Sequence, residues 1–135
     1  MWYVMQADAD ARLIVGFNEK SNKEEYLKNL ENKSLESILN SVHTKAGDVF
    51  FLETGTVHAI GAGMVVAEIQ QTSDITYRLY DFDRKDANGN TRELHVELAL
   101  DATNYEKEES ERNYSKTENQ SNTIVNCPYF TTNYI

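Results

Sequence analysis

Short β-forming runs, repeatedly cut off by glycine, constrain this chain more than any other feature it has. Residues 2–5, 12–17, 49–52, 56–60, 64–71, 76–80 and 123–135 are rich in Val, Ile, Tyr, Phe and Thr, and Gly47, Gly55, Gly61 and Gly63 punctuate the middle of the series. Runs this short suit strands rather than helices, which need about ten or more residues of 3.6 periodicity. Two early stretches break the pattern. Ser21 precedes Glu24 at capping-box spacing, so a helix is expected from there, with Tyr26, Leu27 and Leu30 on its buried face. Leu35, Ile38 and Leu39 repeat that spacing and predict a second short helix over 34–40, which makes a helical insertion of about 21–41. A later helix is expected over 92–103, with Leu94, Leu98, Ala99 and Ala102 on one face.

These elements predict a mainly β domain with inserted helices, a cupin-type β-barrel or jelly roll, present in part. It is expected to occupy residues 1–104. Residues 105–122 offer almost no core-forming side chains and read as a polar connector, and 123–135 read as the start of a further β segment. Both ends run straight into strand character, the expectation for an internal piece of a longer protein.

The 135 residues carry 22 acidic against 13 basic side chains, a net charge of −9. That balance disfavours a nucleic-acid or anionic-membrane partner, because either rewards a basic face. A single cysteine, Cys127, excludes an internal disulfide and any thiolate-rich zinc site. No apolar run approaches the 18 residues a membrane span needs, and Met1-Trp2-Tyr3-Val4-Met5 lacks the basic lead of a secretory signal. The expectation is a soluble, cytoplasmic domain.

Chemistry-bearing residues concentrate in three stretches. His58 follows Gly55 by three positions and precedes Ala59, a setting in which a ring can cross a barrel mouth and ligate a metal through a neutral nitrogen. A lone histidine satisfied by hydrogen bonds is the competing reading. Strand alternation puts Val66, Glu68 and Gln70 on one face. Polar groups there imply either a wet cavity or a solvated outer face, since burying them dry is costly. The same alternation groups Thr76, Arg78 and Tyr80, with Arg78 suited to an oxyanion. Arg78, Arg84, Lys85 and Arg92 are balanced one for one by Asp81, Asp83, Asp86 and Glu93, so a phosphate site and a solvated ion-pair loop both remain open. His95-Val-Glu97 lacks the Cys pair a deaminase needs, and His95 reads as a helix residue. Residues 81–90 miss the calcium-loop spacing, and His43 has no evident partner.

Taken together, Gly47-Asp48, Gly55-Thr-Val-His58-Ala59, Glu68-Ile-Gln-Gln, Thr76-Tyr-Arg78-Leu-Tyr-Asp-Phe-Asp-Arg84 and Arg92-Glu-Leu-His95 resemble the type I phosphomannose isomerases, in order, from Met1 to about Thr103. The opening Met1-Trp-Tyr also looks like the stretch that follows that family's ligand glutamate. The resemblance implies a zinc-dependent cupin enzyme interconverting mannose 6-phosphate and fructose 6-phosphate through an enediolate. It implies His58 as one of four metal ligands, Arg78 as the active-site arginine, Glu68 facing the sugar, and Arg84 as a basic residue near the pocket. The other ligands, a Gln-x-His pair and a Glu, would lie before Met1, so this piece alone is expected to be inactive. A phosphorylated hexose is the implied partner. The alternative is a non-catalytic sugar-binding or oligomerising cupin module.

Overall fold

The computed structural model describes residues 1–73, 75–81 and 84–135. The first strand, β1 (Trp2–Ala7), pairs antiparallel with β4 (Val49–Phe50) on one side and β6 (Met64–Glu68) on the other. Next in the chain, β2 (Arg12–Phe17) pairs with β3 (Leu39–His43) and β5 (His58–Ile60). These are two three-stranded sheets, ordered β4-β1-β6 and β3-β2-β5. Side chains alternate along each strand, so Trp2, Val4 and Phe50 from one sheet meet Leu13 and Val15 from the other in a shared apolar layer. The architecture is mainly β with small sheets, and among the described residues the sheets do not close into a barrel. No helix is long and apolar enough to cross a membrane among those residues.

The helix α1 (Lys23–Glu31) forms where expected, but its cap is shifted by one residue. Asn22 Oδ1 accepts the Glu25 N–H at 2.9 Å, while Ser21 Oγ donates to the Glu25 carboxylate. Tyr26 is fully buried and Leu30 partly so, whereas Leu27 is exposed. The predicted second helix is not formed. Residues 35–37 make one 3₁₀ turn and Leu39 already belongs to β3, opposite Phe17. The hydroxyls of Ser34 and Ser37 bond to nearby carbonyls, and the Asn40 amide donates to the Val15 carbonyl; such bonds compete with helix propagation.

Two further expectations change. The helix predicted over 92–103 is α2 (Val96–Ala102), and it buries Ala99 and Leu100 while Leu94 and Leu98 stay exposed. Val96, Ala99, Leu100 and Thr103 supply the i, i+3, i+4, i+7 stripe instead. Leu100 joins Phe17, Tyr26, Leu35 and Leu39 in a second core. Residues 76–80 do not form a strand, for a reason that belongs to the site below. Asp74, Phe82 and Asp83, the last among the acids read as balancing the basic residues, lie outside the described residues.

The polar stretch 105–122 holds no helix or strand before β7 begins, yet it lies against the sheet. Phe51 N–H donates to the Ser110 carbonyl and Arg112 N–H to the Val49 carbonyl, so this stretch lines the outer edge of β4. Tyr105 stacks on Phe17 at 5.7 Å between centroids. The final strand prediction resolves into a hairpin, β7 (Asn122–Asn126) with β8 (Thr131–Tyr134), turned at Cys127-Pro128. Ile124 and Val125 close a third core against Met1 and Val49.

Candidate active site

Trp2 sits where the two sheets meet, 2% exposed, and touches a candidate residue from each. In β1 it lies directly opposite Glu68 of β6, and its indole Nε1–H donates to Glu68 Oε1 at 3.1 Å. The His58 ring, from β5 of the other sheet, meets the indole edge-on, with centroids 5.3 Å apart and planes at 79°. One buried side chain thereby sets the positions of His58 and Glu68.

His58 Nδ1 lies 2.7 Å from the Thr56 carbonyl oxygen. A carbonyl only accepts, so Nδ1 carries the proton and, in the neutral ring, Nε2 keeps its lone pair. This tautomer, fixed by a backbone carbonyl, is the one metal-ligating histidines commonly use. The local fold depends on Gly55, whose φ of +94° a side chain would strain. A Cβ there would also lie 2.6 Å from the Ala102 carbonyl at the end of α2. The Asn104 N–H donates to the Gly55 carbonyl at 2.9 Å, tying that end of α2 to the loop leading into His58.

Arg78 is held by the other end of α2. Its backbone N–H reaches His95 Nδ1 at 3.3 Å, its carbonyl accepts the His95 N–H at 2.9 Å, and its Nη1 donates to the Glu93 carbonyl at 3.1 Å. With its backbone groups occupied in this way, residue 78 has none left for a sheet ladder, and the predicted strand over 76–80 is absent. A seven-residue helix, about 10 Å long at 1.5 Å per residue, thus spaces the Arg78 segment from the Gly55 loop. His58, Glu68, Gln70 and Arg78 all line one open cavity of about 1380 Å³.

Arg84 lines a second pocket, which shares Tyr80 with the first. Its guanidinium donates to Asp81 Oδ1 at 2.6 Å, and Arg92 donates to both oxygens of the same carboxylate. Asp81 is buried, 6% exposed, and Arg84 and Arg92 flank it around a smaller pocket of about 370 Å³. The Arg92 hydrogen bond, followed by that of Arg84, holds the Asp81 carboxyl well below the usual carboxylate range. A depressed carboxylate contributes stability that is complete above its ordinary value of 3.8 and is lost as pH falls toward the folded value. A carboxyl-carbon NMR titration should therefore show Asp81 still ionised well below the ordinary carboxylate range. Protonation at the ordinary carboxylate value would mean that the Arg clasp does not form.

His43, read as unpartnered, lies 2.5 Å from the Arg12 guanidinium through Nε2. His95, discarded as an ordinary helix residue, precedes α2 and clasps Arg78. Its partner is seventeen positions away, and no spacing rule in the sequence marks that pair. Trp2 and Val4 do carry a signal, the strand alternation that puts both in the core.

For zinc, the described residues fit in part. His58 presents one correctly protonated donor, but no three His, Cys, Asp or Glu side chains are placed to hold one ion among the described residues. A protein zinc site needs about four ligands, or three and a water.

No family model matches the chain. It is 39% identical to the mannose-6-phosphate isomerase of Bacillus subtilis over 132 residues, 96% of this chain and 42% of that protein. It is 47% identical to the mannose-6-phosphate isomerase of Streptococcus mutans over 100 residues, 74% of this chain and 31% of the relative. The crystal structure of the mannose 6-phosphate isomerase from Bacillus subtilis superposes with a TM-score of 0.84 at 34% identity, again over 96% of this chain and 42% of that one. The chain spans less than half the length of the relatives it matches, and within that span sequence and fold agree: it is a homologue of the mannose-6-phosphate isomerases.

Proposed function

We propose that this chain is the cupin segment of a cytoplasmic, zinc-dependent isomerase that interconverts mannose 6-phosphate and fructose 6-phosphate. The observation that carries the reading is the convergence of His58, Glu68 and Arg78 on one cavity from three separate parts of the chain. The relatives' names supply the substrate class.

Moving a proton between C1 and C2 of the sugar builds negative charge on the two oxygens of an enediolate. Arg78 stabilises that charge where it develops: its Nε and Nη2 have no protein partner among the described residues and are left for the sugar oxygens. Glu68 spends Oε1 on the Trp2 indole and keeps Oε2 to accept a sugar hydroxyl or to carry the proton. His58 would hold the metal through its bare Nε2. The zinc ion, when bound, acts as a Lewis acid and template for the sugar oxygens. Its remaining ligands come from residues outside this chain, as the resemblance implies. Arg84, bound to Asp81 at a smaller pocket that shares Tyr80 with the larger one, is the basic residue near the sugar site that the resemblance implies.

The rival reading, a non-catalytic sugar-binding module, draws on the missing three-ligand cluster among the described residues. A chimera separates the two. This chain is exchanged for the matching 42% of the Bacillus subtilis relative, and conversion of mannose 6-phosphate is measured with zinc present. Turnover supports the isomerase. A folded chimera that binds the sugar phosphate without converting it supports the binding module.

A further inference from the structure

We propose that His95 is a positioning residue for Arg78, acting through its unprotonated Nδ1. The proposal deepens the isomerase reading and rests on it for the importance of Arg78, though not for the clasp itself. Arg78 stands outside every strand and helix, so no ladder of repeated bonds fixes it. Its backbone N–H ends on the His95 ring at 3.3 Å and its carbonyl on the His95 N–H at 2.9 Å. One residue therefore answers both main-chain groups of Arg78, and Glu93, two positions earlier, takes one arm of its guanidinium.

His95 is itself anchored. Its carbonyl accepts the Ala99 N–H at 2.9 Å as the first bond of α2. Ala99 and Leu100 are buried, and Leu100 packs in the second core, while the Tyr77 ring lies 6.3 Å from the imidazole. Rigidity passes from that core through α2 to His95, and from His95 to Arg78. Because an N–H donates to it, Nδ1 must be bare, which assigns the ring proton to Nε2. A side chain of similar length with an acceptor near Nδ1 can replace it, and an apolar one cannot.

The experiment uses the 135-residue chain labelled with ¹⁵N, in wild-type, His95→Leu and His95→Asn forms. In the wild type, ring ¹⁵N shifts should report a bare Nδ1 and a protonated Nε2. The Arg78 amide should exchange about tenfold faster or more in His95→Leu, and within about threefold of wild type in His95→Asn, whose Oδ1 accepts in place of Nδ1. Val4, buried between the sheets, reports whether the fold survives in each. In the chimera, His95→Leu should lower kcat by up to about 100-fold with little change in KM, and His95→Asn should restore most of it.

A proton found on Nδ1 overturns the proposal. So does an Arg78 amide indifferent to His95→Leu, or an Asn variant that behaves like Leu while Val4 stays protected. If His95→Leu loses protection at Val4, the ring shifts and the Asn variant decide. A chimera without turnover in which Arg78 exchange still follows His95 would leave the clasp standing and refute the isomerase reading alone.

Discussion

Replacing Trp2 by alanine is expected to cost the chain about 3–5 kcal/mol in urea unfolding, because a fully buried indole leaves a cavity that its neighbours fill only in part. The site magnifies the packing loss. Trp2 joins the two sheets through Val4, Leu13, Val15 and Phe50, and it is also the donor to Glu68 and the surface against which His58 rests. A domain of this size holds about 5–15 kcal/mol in total, so the substitution removes a large share. Trp2→Phe separates the two roles. It keeps most of the apolar contact, including that with the His58 ring, but leaves Glu68 without its donor, so a smaller loss of about 1–2 kcal/mol is expected. Equal costs for the two variants would show that packing around Trp2 contributes nothing beyond the single hydrogen bond.

Much of this fold is legible in the sequence, and the failures share a cause. The runs around Trp2 and Arg12 read as strands because alternation and β-branched residues agree there with the sheet they join. The Lys45–Asp48 turn reads equally well. Gly47 supplies the positive φ, and Asp48 accepts the Lys45 N–H at 2.8 Å. Residues 34–40 and 76–80 misread because local pattern was overruled by distant partners: Phe17 draws Leu39 into a sheet, and His95 occupies the backbone of Arg78. The face of α2 misreads for the same reason, since Leu100 turns toward Phe17 and Tyr26, more than seventy positions earlier.

The site divides along the same line. Residue types and motif order single out His58, Glu68 and Arg78, and the fold brings them around one cavity. Arg84 carries the same charge as Arg78 and sits only six positions on, yet Asp81 holds it at another pocket. Only tertiary structure distinguishes the two arginines. Trp2 and His95 touch the candidate residues from behind, and sequence reasoning that searches for ligands and acids passes over such supports.

The second large effect separates the work of His58 from that of Arg78. In the chimera, His58→Ala should lower zinc affinity by more than about 100-fold, since loss of even a ligand's hydrogen-bonding partner commonly costs 10–100-fold. On the proposed mechanism Arg78→Ala removes the guanidinium assigned to the enediolate charge, and it should lower turnover by about 100- to 1000-fold with the zinc content unchanged. The ratio of bound zinc to turnover in these two variants is the most direct measurement of the account. It predicts a zinc-depleted His58→Ala protein and a zinc-replete, slow Arg78→Ala protein. An Arg78→Ala protein that turns over at the wild-type rate, or a His58→Ala protein that keeps its full zinc complement, would contradict it.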